Sequence, residues 1–211
     1  MKSLFLAGLM VFGLSAAAFA QGAPPAAAPA PTVTIRGVVV SLNGNVLTVG
    51  APIGTATTTI ALAPNFKVQY IVKSSLAAIA PGSYVGSAAL PGPNGTLRAI
   101  EVHYFAPGFV GRAFSSGYDL GPTSSMTNGN VQNIATTKVD NVDAHTLTIQ
   151  IDNGTKTIVV TPDTPIVTYE AADASAVVKG AHVIVRATKN PDGSLAAAGV
   201  NVGKDGLIPP M

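Results

Sequence analysis

Glu101 and His103 stand two apart in the stretch IEVHY, the spacing that puts a carboxylate and an imidazole on one face of a strand. Such a pair can pass a proton or offer two metal ligands. Alternation along the strand turns this face outward, opposite Val102 and Tyr104, where the two read first as the polar side of a half-exposed strand. His182, four residues before Arg186, also falls on an outer face, and it completes with Glu101 and His103 the alternative set for a divalent metal. His145 follows Asp143 in a hairpin loop, where an Asp serves turn geometry. The chain has no Cys, which removes thiol catalysis and disulfides together. It has no Gly-x-Ser-x-Gly elbow, no phosphate-cradling Gly-rich loop with Lys and no His-Glu-x-x-His. No cofactor signature appears, and the expectation is a protein that is not an enzyme.

The second concentration of chemistry is aromatic. Tyr104, Phe105, Phe109, Phe114 and Tyr118 fall within fifteen residues. They either fill a seam between two domains, since aromatic side chains bury large areas, or form a recognition loop. In the second case Phe109, Phe114 and Tyr118 are the anchors, and Arg112 and Asp119 the polar rim. The charges, 12 Lys and Arg against 10 Asp and Glu, are scattered singly. They make no basic footprint for nucleic acid. The partner expected is a protein or a small ligand of the cell envelope.

The elements that would position these residues are short strands. Asn43-Gly44, Pro93-Asn94-Gly95, Asn153-Gly154 and Asp192-Gly193 separate β-branched runs, as hairpin turns do. The Asn-Gly-Thr triplets at Asn94 and Asn153 are read as such turns rather than glycan acceptors. The chain also repeats itself. PGSYV at 81–85 lies over KGAHV at 179–183, and PNGTLRAIEV at 93–102 over PDGSLAAAGV at 191–200, with a constant spacing of 98. In the first copy strands are predicted at about 33–42, 45–51, 57–72, 83–90 and 96–105, with a short helical turn over 74–80. This order is that of an OB-like barrel. The expectation is an all-β protein of two tandem five-stranded barrels, 33–105 and 127–203, joined by the aromatic connection 106–126 and followed by a tail, 204–211.

The first twenty residues carry Lys2, an apolar run from Leu4 to Leu14 and small residues up to Ala20, the pattern of a secretory signal peptide cleaved before Gln21. A Pro/Ala-rich spacer, 21–32, follows. No later segment is long and apolar enough to span a bilayer as a helix. The periplasm, or the medium, is the expected location.

The runs SSLAAIAPGSYVGSAALPGPNGTLRAIEVHYF, DLGPTSSMTNGNV and KNPDGSLAAAGVNVGKDGLIPPM resemble a group of exported proteobacterial proteins with tandem repeats. Those repeats are similar to a bacterial domain of unknown function with an OB-like barrel. Relatives often carry the label of a metal transporter permease, which one cleaved apolar segment does not fit. Where relatives have a Gly-Glu-Gly-His-like stretch and a Trp-Asp pair, this chain has Gly111-Arg112-Ala113-Phe114 and Tyr118-Asp119. The motifs of that group carry no established activity; two barrels, no catalytic set and an aromatic-rich connection lead to the expectation of a non-catalytic binding or interaction module.

Overall fold

β-Branched runs cut by Gly-containing turns fold as strands along the chain. The computed structural model describes residues 30–211; the expected leader, 1–20, and most of the spacer lie outside the described residues. The strands are β1 (Thr32–Asn43), β2 (Val46–Gly50), β3 (Thr57–Lys73), β4 (Tyr84–Pro91), β5 (Leu97–Ala99), β6 (Val102–Tyr104), β7 (Phe114–Gly117), β8 (Ser125–Val139), β9 (Val142–Ile151), β10 (Gly154–Val160), β11 (Ile166–Ala172), β12 (His182–Lys189) and β13 (Leu195–Gly203). Helical structure is confined to single 3-10 turns, including Leu76–Ala78 and Ala174–Ala176 at the two predicted places. The Asn94-Gly95 turn is paid for in backbone terms by left-handed φ values of 53° and 75°. Among the described residues no helix is long and apolar enough to cross a membrane.

The protein is all-β and contains a closed five-stranded barrel, in the order β1-β2-β3-β13-β12 and back to β1. The pairing of β3 with β13 is parallel and the rest antiparallel, the OB arrangement. A second ring runs β8-β9-β10-β5-β4 and back to β8, with its one parallel contact between β10 and β5. The expectation that residues 33–105 and 127–203 each close on themselves is therefore corrected. Each ring takes its first three strands from one half of the chain and its last two from the other, and all thirteen strands form one hydrogen-bonded sheet.

The reason lies in β3. Seventeen residues of strand rise about 55 Å, which carries the chain out of the ring it began in. Leu76 and Ile79, just beyond its end, pack into the core of the second ring with Val85, Leu147, Ile149 and Ile158. Conversely Ala176 and Val177, just beyond β11, pack into the first ring's core with Val39, Leu47, Ile60 and Val185. Alternation along each strand is the same whichever ring the strand joins, so the exchange is invisible to it.

The rings are tied together by β3 pairing with β11 and β11 with β6. The antiparallel β3–β11 ladder is symmetric about Ile71 facing Tyr169: Gln69 faces Ala171 and Lys73 faces Val167, and 71 and 169, 69 and 167, and 73 and 171 are all 98 apart. Ile71, Val167, Ile184 and Met211 form a third, smaller cluster at this junction. Alternation along the strands puts Ile60, Leu62, Val68, Val85 and Val102 inward with Ile158, Val160, Val183, Val185, Val200 and Val202, and all of these are buried. Tyr104 and Ile166 pack half-buried against the second core. Ile100 is only half-buried, because the strand breaks there into β5 and β6.

Candidate functional site

That break is a bulge. The N–H groups of Ile100 and Glu101 both point at the Ala88 carbonyl, at 2.7 and 3.3 Å. Two residues thus oppose one, and the parity of the strand reverses. Ala99 and Val102 both face the second core, and Glu101 and His103 face the seam between the rings.

This seam is not solvent, and the outward reading of Glu101 and His103 is corrected here. Glu101 has no exposed surface and His103 retains 5 %. Alternation separated the two faces of the strand properly, but the seam is roofed by the connection and by elements of the other ring. A buried carboxylate is costly unless its oxygens are engaged. Glu101 Oε1 accepts the Ala88 N–H at 2.9 Å, and His103 Nδ1 lies 3.1 Å from both Oε1 and Oε2. A carboxylate only accepts, so Nδ1 carries the hydrogen and donates it. The Ser87 hydroxyl donates to the Glu101 carbonyl at 2.7 Å, which pins the backbone of the bulge.

His103 Nε2 is left with no hydrogen-bond partner among the described residues. It can lie where it does because residue 86 is glycine: a Cβ there would overlap Nε2 and sit 2.6 Å from Asn128 Oδ1. The imidazole lines a cavity of about 350 Å³ between the rings. Its aromatic wall is a ladder of rings. Phe105 stacks on Phe109 at 4.3 Å and on Tyr169 at 5.2 Å, Tyr84 meets both phenylalanines edge-on or tilted at 5.4 and 5.2 Å, and His103 stands edge-to-face on Phe105 and Tyr169 at 5.5 and 5.9 Å. The Tyr84 hydroxyl donates to the Arg112 carbonyl at 2.6 Å and so ties the connection down. Burial raises the phenol pKa of Tyr84, Tyr118 and Tyr169, and the negative charge of Glu101 adds to it at Tyr118 and Tyr169.

Of the candidates from sequence, His103, Phe109, Arg112, Phe114 and Tyr118 line this one cavity. Glu101 lies behind His103. Asp119 faces an adjoining cavity of about 540 Å³ that shares Phe114 and Tyr118 with the first. There it holds Arg36 through two contacts of 2.7 and 2.8 Å. Arg36 also donates to the Tyr118 hydroxyl at 3.1 Å and lies over its ring. The Arg36 bonds hold the Asp119 carboxyl below its ordinary range, and Asp119 in turn raises Arg36. His182 is not brought to the others: it opens β12 opposite Val38. The metal set Glu101, His103 and His182 is thus not assembled, and no cluster of three or more His, Asp or Glu forms among the described residues. The two readings of the aromatic window merge, since Phe105 packs in the seam while Phe109, 44 % exposed, stands at its mouth.

Sequence reading missed Tyr84, Tyr169, Asn128 and Gly86. Tyr84 and Gly86 sit in the PGSYVG stretch used only for the repeat, where KGAHVI in the second copy already showed Gly86 replaced by an isoleucine. The chain matches no family model, no curated protein and no solved structure.

Proposed function

We propose that this chain is an exported, non-catalytic binding module of the cell envelope, and that its ligand sits in the cavity between the rings. The observation that carries this is the buried Glu101–His103 pair with one imidazole nitrogen left open. Breaking even with a buried carboxylate takes good geometry and extra hydrogen bonds, and the first ring closes at the matching place with Gly199 and Asn201 instead. Folding therefore does not demand the pair, whereas orienting a bound molecule does. The aromatic wall supplies contact area and the open nitrogen supplies direction, the usual division of labour in small-molecule sites.

We also infer that the two halves arose by duplication. The self-symmetric β3–β11 ladder supports it, as do Gly37 and Gly129, each of which lies against the backbone of its neighbouring strand in the same place of its ring.

The test of the binding seat is a fragment screen on the full chain by NMR, watching the His103 imidazole and the Phe109 ring. Aromatic fragments are expected to shift both signals together and to leave His182 unmoved. A screen in which no fragment moves His103 would sink the reading.

A further inference from the structure

We propose that the ligand is a small aromatic carboxylate carrying a hydroxyl group, an inference that rests on the cavity being the binding seat and adds the chemical class. Three features select it independently.

The first is charge. Arg112 and Arg186 line the cavity, and no Asp or Glu does. Arg112 is 83 % exposed at its side chain, and its contact with Asp152 is stretched to 4.0 Å. Arg186 has one side-chain hydrogen bond among the described residues, to Thr32 Oγ1 at 3.3 Å. The nearby Arg36, by contrast, is fully engaged with Asp119. Arg186, with no carboxylate partner among the described residues, and Arg112, held to Asp152 only at 4.0 Å, favour an anion at the rim of an aromatic cavity, and a carboxylate fits the guanidinium fork.

The second feature is shape. Phe105 and Phe109 are nearly parallel, at 13°, and Arg112 lies 5.7 Å over the Phe114 ring. Flat rings in offset stacks accept another flat ring. A volume of about 350 Å³ is at the small end for ligand pockets and suits one ring with its substituents. The adjoining cavity shares Arg186, Phe114 and Tyr118, which leaves room for a short spacer between ring and carboxylate.

The third is the polarity of His103. With its Nδ1 hydrogen committed to Glu101, the ring turns Nε2 to the cavity, where it accepts from a ligand in the neutral form and donates to one in the charged form. A hydroxyl both donates and accepts, so on an aromatic acid it is the group that partners Nε2 in either form. Arginines at the rim and imidazole at the floor thus read the two ends of one molecule.

The experiment is isothermal titration of the full chain with 4-hydroxybenzoate and 4-hydroxycinnamate, set against benzoate, 4-hydroxybenzyl alcohol and tyramine. The hydroxy acids are expected to bind at least tenfold more tightly than the analogue lacking the carboxylate, the one lacking the hydroxyl, and the cation. Arg186→Ala, an exposed change whose folding is checked by melting temperature, is expected to weaken the acids about tenfold and to leave 4-hydroxybenzyl alcohol unchanged. Arg112→Ala gives a second reading at the other rim position. If the alcohol or the amine binds as tightly as the acids while shifting His103 in NMR, the ligand class is overturned and the seat survives. If no compound of any charge shifts His103, class and seat fall together. Binding of the acids with neither arginine mattering also overturns the class.

Discussion

The two rings present the same four positions to the seam and fill them in opposite ways. In the first ring the β1–β12 pair places Arg36 opposite Ile184, and β13 contributes Gly199 and Asn201. In the second, the β8–β4 pair places Asn128 opposite Gly86, β6 contributes His103, and the bulge just before it contributes Glu101. The first ring fills the space with an isoleucine and neutralises its one charge with Asp119 at the surface. The second removes a side chain at residue 86 and buries a carboxylate behind an imidazole. Both solutions close a ring of paired strands, so the difference between them is not about closure. It marks the second ring as the half that puts a buried charge into the seam.

The largest effect should come from breaking the exchange that creates the seam. A chain ending at residue 179 lacks β12 and β13, the strands that close the first ring. Hydrogen exchange by mass spectrometry is expected to show β1, β2 and the first part of β3 unprotected, although all of them lie far upstream of the cut. Retained protection there would mean that each half closes on itself, and the comparison of seams would lose its basis.

Next in size is the buried pair. Glu101→Ala strips the partner from the His103 Nδ1 hydrogen and the Ala88 N–H at once. Removing one member of a buried pair costs about 3–5 kcal/mol. Asn201→Ala, at the matching place in the first ring, should cost less than about 1 kcal/mol, as substitutions away from buried networks do. Urea titration of both variants checks the contrast, and equal costs would remove the claim that the two positions do different work.

A matched pair of substitutions tests the equivalence of the rings. A Cβ at Gly37 would overlap the Gly50 carbonyl oxygen, and one at Gly129 the Gln150 carbonyl oxygen. Backbone cannot step aside as a side chain can, so Gly37→Ala and Gly129→Ala should each lose about 1–3 kcal/mol, the usual range for overpacking, and by similar amounts. A loss confined to one of them in thermal or urea unfolding would count against duplication.

Much of this was legible in the residues, and what was not has physical causes. Strand positions, the 3-10 turns and the inward sets followed from alternation and from turn chemistry at Asn94-Gly95 and Asp192-Gly193. Which ring each strand joins did not, because pairing partners with the same alternation are interchangeable to a pattern read one strand at a time. Glu101 and His103 were found by their spacing and misjudged by their burial: a face opposite a core is exposed only if nothing else lies on it, and here the connection and the first ring do. Tyr169, 66 residues after His103, reaches it only through the exchange. The contrast of PGSYVG with KGAHVI held the one readable hint of asymmetry, the loss of a side chain at Gly86.

The smallest expected effect concerns the first ring's own answer to charge, the contact of Arg36 with Asp119. Arg36 holds the Asp119 carboxyl below its ordinary range. A carboxylate with a lowered pKa in the folded state contributes stability that is present above its unfolded value, near 4, and is lost as the pH falls through the folded value. Asp119 is 46 % exposed at its side chain, so solvent screens the pair and its worth is at most about 1 kcal/mol. Asp119→Asn should therefore lower stability by up to that amount at neutral pH, and the gap from the parent chain should close as the pH drops below about 4. Added salt should shrink the neutral-pH gap as well, since the pair stands at the surface. Glu101, sealed from solvent, should show no such sensitivity of its substitution to salt. A gap for Asp119→Asn that is unchanged by acid and by salt would show that Asp119 acts through packing rather than charge, and the two rings would then differ less in kind than their four seam positions indicate.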